Sequence, residues 1–229
     1  MKRILITGAN KGLGFEATRQ LTALGHRVWL GSRDKQRGEQ AAQAAAARFV
    51  PLDVTDDASV AAAAEEIRQE SGGLDVLINN AGIAAFPDGA GQTDADTFRN
   101  LFEVNLFGVV RVTQACLPLL QDGRLPVVIN VSSGLGSLAL VSDPARPEAA
   151  YSPVAYCSSK AALNMLTVQY AKSFPEIRFA AISPELAATD LTGFRGGPVE
   201  SAVSAVVAAA VAEAGPTGIF AAADGPLPW

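Results

Sequence analysis

The sequence predicts a doubly wound α/β fold: one domain over residues 1–229, built on a parallel seven-stranded sheet with helices on both faces. Three observations predict it. Short apolar runs alternate with helical stretches along the chain. Several runs, such as Val76-Leu77-Ile78 and Val127-Val128-Ile129, are apolar at every position, as in strands buried on both faces. A glycine-rich turn, Thr7-Gly8-Ala9-Asn10-Lys11-Gly12-Leu13-Gly14, joins the first apolar run to the first helical stretch.

The elements follow in order. Arg3-Ile4-Leu5-Ile6-Thr7 is the first strand, 3–7, and the glycines lead into a helix at 13–24. A Gly25-His26-Arg27 turn opens the second strand, 27–31, and the alanine tract 41–47 ends a helix at 35–47. A third strand at 48–52 precedes a helix at 57–70 that carries the alanines 61–64. A strand at 74–79, a long helix at 94–121 and a strand at 125–131 form the middle of the sheet. A helix at 153–173, a strand at 177–182, a helix at 199–213 with alanines at 208–210, and a strand at 217–221 complete it. Right-handed crossovers turn this alternation into a doubly wound sheet. Segments 83–93, 132–152 and 183–198 read as irregular, and most follow the carboxyl ends of strands, where ligands bind in such sheets.

Composition narrows the function classes. Hydrophobic residues make up 49% of the 229, enough for a sizeable core. The net charge is −5 and no basic block occurs, which speaks against a nucleic-acid partner. No apolar run reaches the ~18 residues of a membrane span. Cys116 and Cys157 have neither metal-ligand nor disulfide spacing, so no metal and a reducing, cytoplasmic setting are expected. With His26 as the one histidine, no histidine-based triad is available.

The glycine turn suits a nucleotide. Gly8, Gly12 and Gly14 allow a tight turn and close backbone approach to a pyrophosphate, and the helix N-terminus turns its N–H groups toward the negative charge. The end of the second strand reads the ribose, and an acid there favours NAD. This chain has Gly31-Ser32-Arg33 instead. Arg33 offers a planar fork for a 2′-phosphate, Ser32 a hydroxyl donor, and Lys11 a charge in the turn, together pointing to NADP(H). Asp34 follows, one residue out of register for the ribose.

Tyr156 and Lys160 lie four residues apart before an apolar run, so on a helix they share a face. A phenol titrates near ~10, and bringing it to ~7 takes about 4 kcal/mol. A lysine charge at ~4 Å and an effective dielectric of ~20 supplies about that much. The pair could then protonate an oxygen on which negative charge builds. Cys157 points to another helix face and reads as packing. Tyr151 has no basic residue four positions on.

Taken together these motifs resemble those of the short-chain dehydrogenase/reductases, a Rossmann-type family. Thr7-Gly8 through Gly14 is similar to the family's cofactor turn, and Thr-Gly-Ala-Asn-Lys-Gly is especially similar to its carbonyl reductases. Leu52-Asp53-Val54 resembles the adenine-contacting motif, Asn79-Asn80-Ala81-Gly82 the signature after strand four, and Val104-Asn105 the helix asparagine. Asn130-Val131-Ser132-Ser133 and Tyr156-x-x-x-Lys160 resemble the catalytic motifs. The resemblance spans residues 3 to about 191. It implies Asn105, Ser133, Tyr156 and Lys160 as the catalytic set, with Asn105 holding a relay water and Ser133 bonding the substrate oxygen. It implies cofactor contacts at Gly8, Asn10, Lys11, Gly12, Leu13, Gly14, Ser32, Arg33, Asp53, Val54, Asn80, Ala81 and Gly82. Tyr156, Lys160, Pro184 and Thr189 join them, with Lys160 on the nicotinamide ribose and Thr189 on the carboxamide.

Two departures from the family pattern stand out. Ser133 and Tyr156 are 23 positions apart, about twice the common arrangement, and the extra segment around Ser142–Glu148 is expected to overhang the site or lie at a subunit face. The family's Pro-Gly is Pro184-Glu185 here, which predicts a reshaped turn, because glutamate takes positive φ only at a cost. A short, glycine-rich lid follows at 190–198. The resemblance implies NADPH-dependent reduction of a small-molecule aldehyde or ketone substrate. An NADP-dependent alcohol or hydroxysteroid-type dehydrogenase would use the same residues, and a non-catalytic NADP(H)-sensing regulator would be expected to lack some of them. A homodimer or homotetramer is the family habit, and the carbonyl-reductase branch leaves a monomer open.

Overall fold

A computed structural model describes residues 1–85 and 93–229. The part of the expected irregular segment at 86–92 lies outside the described residues. The strands are β1 (Arg3–Ile6), β2 (Arg27–Ser32), β3 (Arg48–Pro51), β4 (Val76–Asn79), β5 (Val127–Val131), β6 (Arg178–Ile182), β7 (Ile219–Ala222) and β8 (Gly225–Pro226). They form one sheet in the order β3-β2-β1-β4-β5-β6-β7-β8. The first seven are parallel, and β8 runs antiparallel to β7.

The seven expected parallel strands are all present, and the sheet is extended by a short antiparallel eighth. It is two residues long and begins at Gly225, whose φ of 124° few other residues adopt. So short a strand carries no alternating pattern for a sequence to reveal. It is held by pairing with β7 and by Leu227 N–H donating to Phe220 C=O at 2.9 Å.

Alternating side chains divide the core between the two faces. Ile4, Ile6, Val28, Leu30, Val76 and Ile78 point to one side. There they meet α1 (Gly12–Ala23), α2 (Lys35–Ala44) and α9 (Ser204–Val211), with α8 (Val199–Ala202) packed on α1 and α9. Leu5, Trp29, Val50, Leu77, Val128 and Phe179 point to the other side. There they meet α3 (Asp57–Ser71), α5 (Gly108–Gln121) and α7 (Val154–Ser173). The strand order reverses between β1 and β4, and the crevice at that reversal is the topological place for a ligand.

Two helical expectations and one irregular segment are refined. The long helix at 94–121 is α4 (Ala95–Phe102), a π-helical turn (Glu103–Phe107) and then α5. The helix at 199–213 is α8 and α9, divided at Val203. The segment 132–152 contains a 3-10 turn (Gly134–Gly136), α6 (Leu138–Ser142) and a second 3-10 turn (Pro147–Ala150). Tertiary contacts hold these pieces: Ser137 Oγ donates to Pro228 C=O at 2.8 Å, and Ala139 N–H donates to Trp229 C=O at 3.0 Å.

Candidate active site

A cleft of about 1020 Å³ opens over the carboxyl ends of the central strands. Its walls include every expected site residue except Asn105. The glycine turn forms one end. Gly8 and Gly12 adopt φ of 61° and 58°, left-handed backbone that glycine takes without strain. A Cβ on Gly14 would lie 2.4 Å from Asn80 Nδ2, so the turn and the end of β4 can touch only because position 14 is glycine. Asn80 ties the two together: its Nδ2 donates to Thr7 C=O at 2.9 Å and Gly8 C=O at 3.2 Å. Thr7 Oγ1 in turn accepts from the Asn80 and Ala81 N–H groups at 3.0 and 2.9 Å. Asn80 thus braces the turn from behind.

The first turn of α1 has no side-chain cap and no acidic residue. Its free N–H groups, next to glycines that leave the backbone bare, fit a phosphate group. At the end of β2, Asp34 caps α2, accepting from Arg37 N–H at 3.0 Å, and pairs with the Arg37 guanidinium at 3.4 Å. Its carboxylate is therefore engaged by its own helix. Ser32 Oγ is within 3.2 Å of both the N–H and the C=O of Asp34. Arg33 is exposed, and among the described residues no carboxylate lies within ion-pair distance of it. Asp53 accepts from Thr55 N–H at 2.9 Å and Thr55 Oγ1 at 2.7 Å. Burial pushes its carboxyl up, but these bonds and the Arg33 charge leave it below its ordinary value.

Lys11 meets a partner the sequence did not suggest. Its Nζ lies 2.5 Å from Asp190 Oδ2, joining the glycine turn to the segment after β6. Beside it, a Cβ on Gly12 would lie 3.4 Å from Thr189 Cγ2. This is the expected lid. It makes a 3-10 turn (Asp190–Thr192) and returns so that Ala187 pairs with Gly197. Positive φ falls on Gly193, Phe194 and Gly196, and Glu185 has none. The turn after β6 therefore proceeds without a left-handed residue at 185, the reshaping that the glutamate predicts.

Ser133, Tyr156 and Lys160 form the other end of the cleft. Ser133 sits in extended backbone just past β5, and its hydroxyl hydrogen-bonds the Tyr156 phenol. Ser132 points away: its Oγ donates to buried Asn164 Oδ1 at 2.6 Å, a packing role. Tyr156 and Lys160 are both buried on α7. Lys160 Nζ donates to Val131 C=O at 2.8 Å and stands 5.7 Å from the Tyr156 ring centroid. Burial pushes the phenol up to about 12, against the lowering effect of the Ser133 bond. Burial alone brings Lys160 down to about 8. The expectation of a phenol drawn toward ~7 by its lysine is not met in this form of the chain. The ammonium lies over the ring face and bonds a carbonyl, while desolvation opposes charge on both groups.

Asn105 stands one layer behind the cleft, in the π-helical turn. Its Nδ2 donates to Ile83 C=O at 2.9 Å and Ser159 Oγ at 3.0 Å, and its Oδ1 accepts from Ile83 N–H at 2.9 Å. The amide thereby links the segment after β4 to α7. Pro147, Glu148 and Tyr151 of the inserted segment line the cleft, as an overhanging segment would. Sequence reasoning did not single out Glu148 or the apolar Ile83, Leu135 and Leu186 as lining the cleft, because only folding brings these separate segments together.

Comparisons with known proteins agree with this geometry. A family model described as "short chain dehydrogenase" matches residues 2–196. The chain is 34% identical to (-)-isopiperitenone reductase of Mentha piperita, with 94% of each covered. It is 32% identical to (+)-neomenthol dehydrogenase of Arabidopsis thaliana, with 82% of the chain and 83% of that protein covered. Among solved structures, an NADPH-bound carbonyl reductase from chicken fatty liver superimposes with a TM-score of 0.88 at 27% identity, covering 100% of this chain and 99% of that one.

Proposed function

The chain belongs to the short-chain dehydrogenase family of oxidoreductases, and we propose that it is an NADPH-dependent carbonyl reductase that takes a small aldehyde or ketone to the alcohol. One observation carries the reading: the hydrogen-bonded Ser133–Tyr156 pair, with Lys160 over the ring, lies across the cleft from the glycine turn.

The chemistry divides simply. A bound nicotinamide supplies a hydride to the carbonyl carbon. Ser133 Oγ and Tyr156 Oη donate hydrogen bonds to the carbonyl oxygen, and Tyr156 gives up its proton as charge builds there. A phenol that holds its proton until about pH 12 is in the donor state at neutral pH. Lys160 keeps two N–H groups beyond the one on Val131, available to a ribose hydroxyl and to the nascent phenolate. Asn105 is a positioning residue that fixes the wall at Ile83 against α7.

The preference for NADP(H) rests on Arg33. Among the described residues no carboxylate lies within ion-pair distance of it, while Asp34, which follows it, is turned into the α2 cap. The NADPH-bound carbonyl reductase among the structural neighbours is consistent with this preference.

The test is Tyr156→Phe, assayed by NADPH oxidation against a panel of aldehydes, quinones and ketones. Turnover is expected to fall by about 10²–10⁴-fold, the range of a lost general acid, with NADPH affinity nearly unchanged. Wild-type turnover in the variant would remove Tyr156 from the mechanism.

A further inference from the structure

The substrate end of the cleft carries a carboxylate that the reductase mechanism does not use. Glu148 lies in the inserted segment, on the 3-10 turn that begins at Pro147. Its carboxylate packs on the backbone just past Ser133: a Cβ added to Gly134 would lie 2.9 Å from Oε1. Glycine at 134 is what lets the glutamate come so near the Ser133–Tyr156 pair. Oε2 is buried and has no hydrogen-bond partner among the described residues. Arg146 Nε stands 3.5 Å from it, and Arg146 does not line the cleft.

Two neighbours point to the kind of group this carboxylate would receive. Tyr151, three residues on, lines the same lip with half its surface exposed, offering an aromatic face. Glu185 lines the cleft as well, exposed, and has no ion pair among the described residues. A carboxylate short of donors beside an aromatic ring attracts an ammonium group, and the second carboxylate adds to that field. The same arrangement repels an anion, which is how charge discriminates between otherwise similar ligands. Arg195 also lines the cleft, but it is exposed on the lid, with its Nε on Thr192 C=O at 3.2 Å.

We propose that Glu148, with Tyr151, determines substrate charge: the enzyme takes carbonyl compounds bearing a protonated amine and rejects those bearing a carboxylate or phosphate. The inference rests on the carbonyl-reductase reading and names the substrate class of that same site.

The test uses a neutral aryl methyl ketone and two analogues, carrying an aminomethyl group or a carboxylate at the same ring position. Each is assayed with NADPH against the wild type, Glu148→Gln and Tyr151→Leu. For the wild type, kcat/KM for the amine is expected to exceed that for the carboxylate by about tenfold or more. Glu148→Gln should reduce that ratio by about tenfold, mainly through KM, and Tyr151→Leu should lower the amine relative to the neutral ketone. An unchanged ratio in Glu148→Gln, or an equal loss on all three ketones, overturns the assignment. No wild-type turnover of any of the three would instead overturn the reductase reading beneath it.

Discussion

Lys160 Nζ stands 5.7 Å from the centroid of the Tyr156 ring and donates its described hydrogen bond to Val131 C=O at 2.8 Å. The ammonium is thus stored beside the phenol, in a buried place that disfavours its charge and lowers it to about 8. That has a consequence for stability. An unfolded lysine titrates near ~10.4, so between about pH 8 and that value the unfolded chain binds the extra proton and stability rises with pH. Below pH 8 the buried charge costs its full amount, at most roughly 3 kcal/mol. Lys160→Met is expected to lose turnover and yet gain stability over the wild type below pH 8, with the gain shrinking to nothing by about pH 10. Urea melts of both proteins across this range check it; a gain independent of pH would contradict it.

On the proposed reading, Arg33 sets the preference for NADP(H). Among the described residues its guanidinium has no carboxylate within ion-pair distance, so it can meet a 2′-phosphate with charge-assisted bonds worth about 1.5–3 kcal/mol. Arg33→Ala should raise KM for NADPH by about 10–100-fold and change KM for NADH only slightly. Parallel titrations with the two cofactors measure it, and equal losses would remove Arg33 from recognition.

Gly14 is where the glycine turn meets β4. A Cβ there would lie 2.4 Å from Asn80 Nδ2 and 2.9 Å from Ala9 Cα, so Gly14→Ala must displace the brace or the turn. Overpacking of this kind costs about 1–3 kcal/mol. Thermal melts and fluorescence titration with NADPH should show a lower Tm together with weakened binding; a variant that binds normally would mean the turn relaxes without consequence.

Asn105 makes three hydrogen bonds, two of them to the backbone of Ile83. Asn105→Ala would remove the bonds to the Ile83 N–H and C=O, which are part-buried, at about 0.5–1.5 kcal/mol for each bond lost. Chemical denaturation should show the loss, and kcat should fall further than KM changes, because the displaced wall lies beside Tyr156. A stable variant with normal kcat would make Asn105 dispensable.

Much of the fold was legible because it follows local pattern. Val76-Leu77-Ile78 and Val127-Val128-Ile129 are apolar on both faces, and parallel central strands require that. Right-handed crossovers between such strands give the doubly wound class. What escaped was structure with no local pattern. The two-residue β8 exists only through β7, and α6 is anchored by the backbone of Pro228 and Trp229, about ninety residues away. The π-helical turn at Asn105 leaves no mark on the apolar spacing of the long helix it interrupts.

The residues of the candidate site divide the same way. By itself the sequence determined the chemical kinds and their order: glycines after β1, Arg33 after β2, Ser133 after β5, and Tyr156 one helical turn from Lys160. Those are short-range facts, set by spacing and strand ends. Tertiary structure alone decided which groups face one another across long separations: Lys11 against Asp190, Gly12 against Thr189, and Glu148 against Gly134. It also decided that desolvation outweighs attraction at Tyr156 and Lys160 in this form of the chain. The physical reason is that burial and through-space distance depend on everything packed around a group, whereas periodicity depends only on its neighbours in the chain.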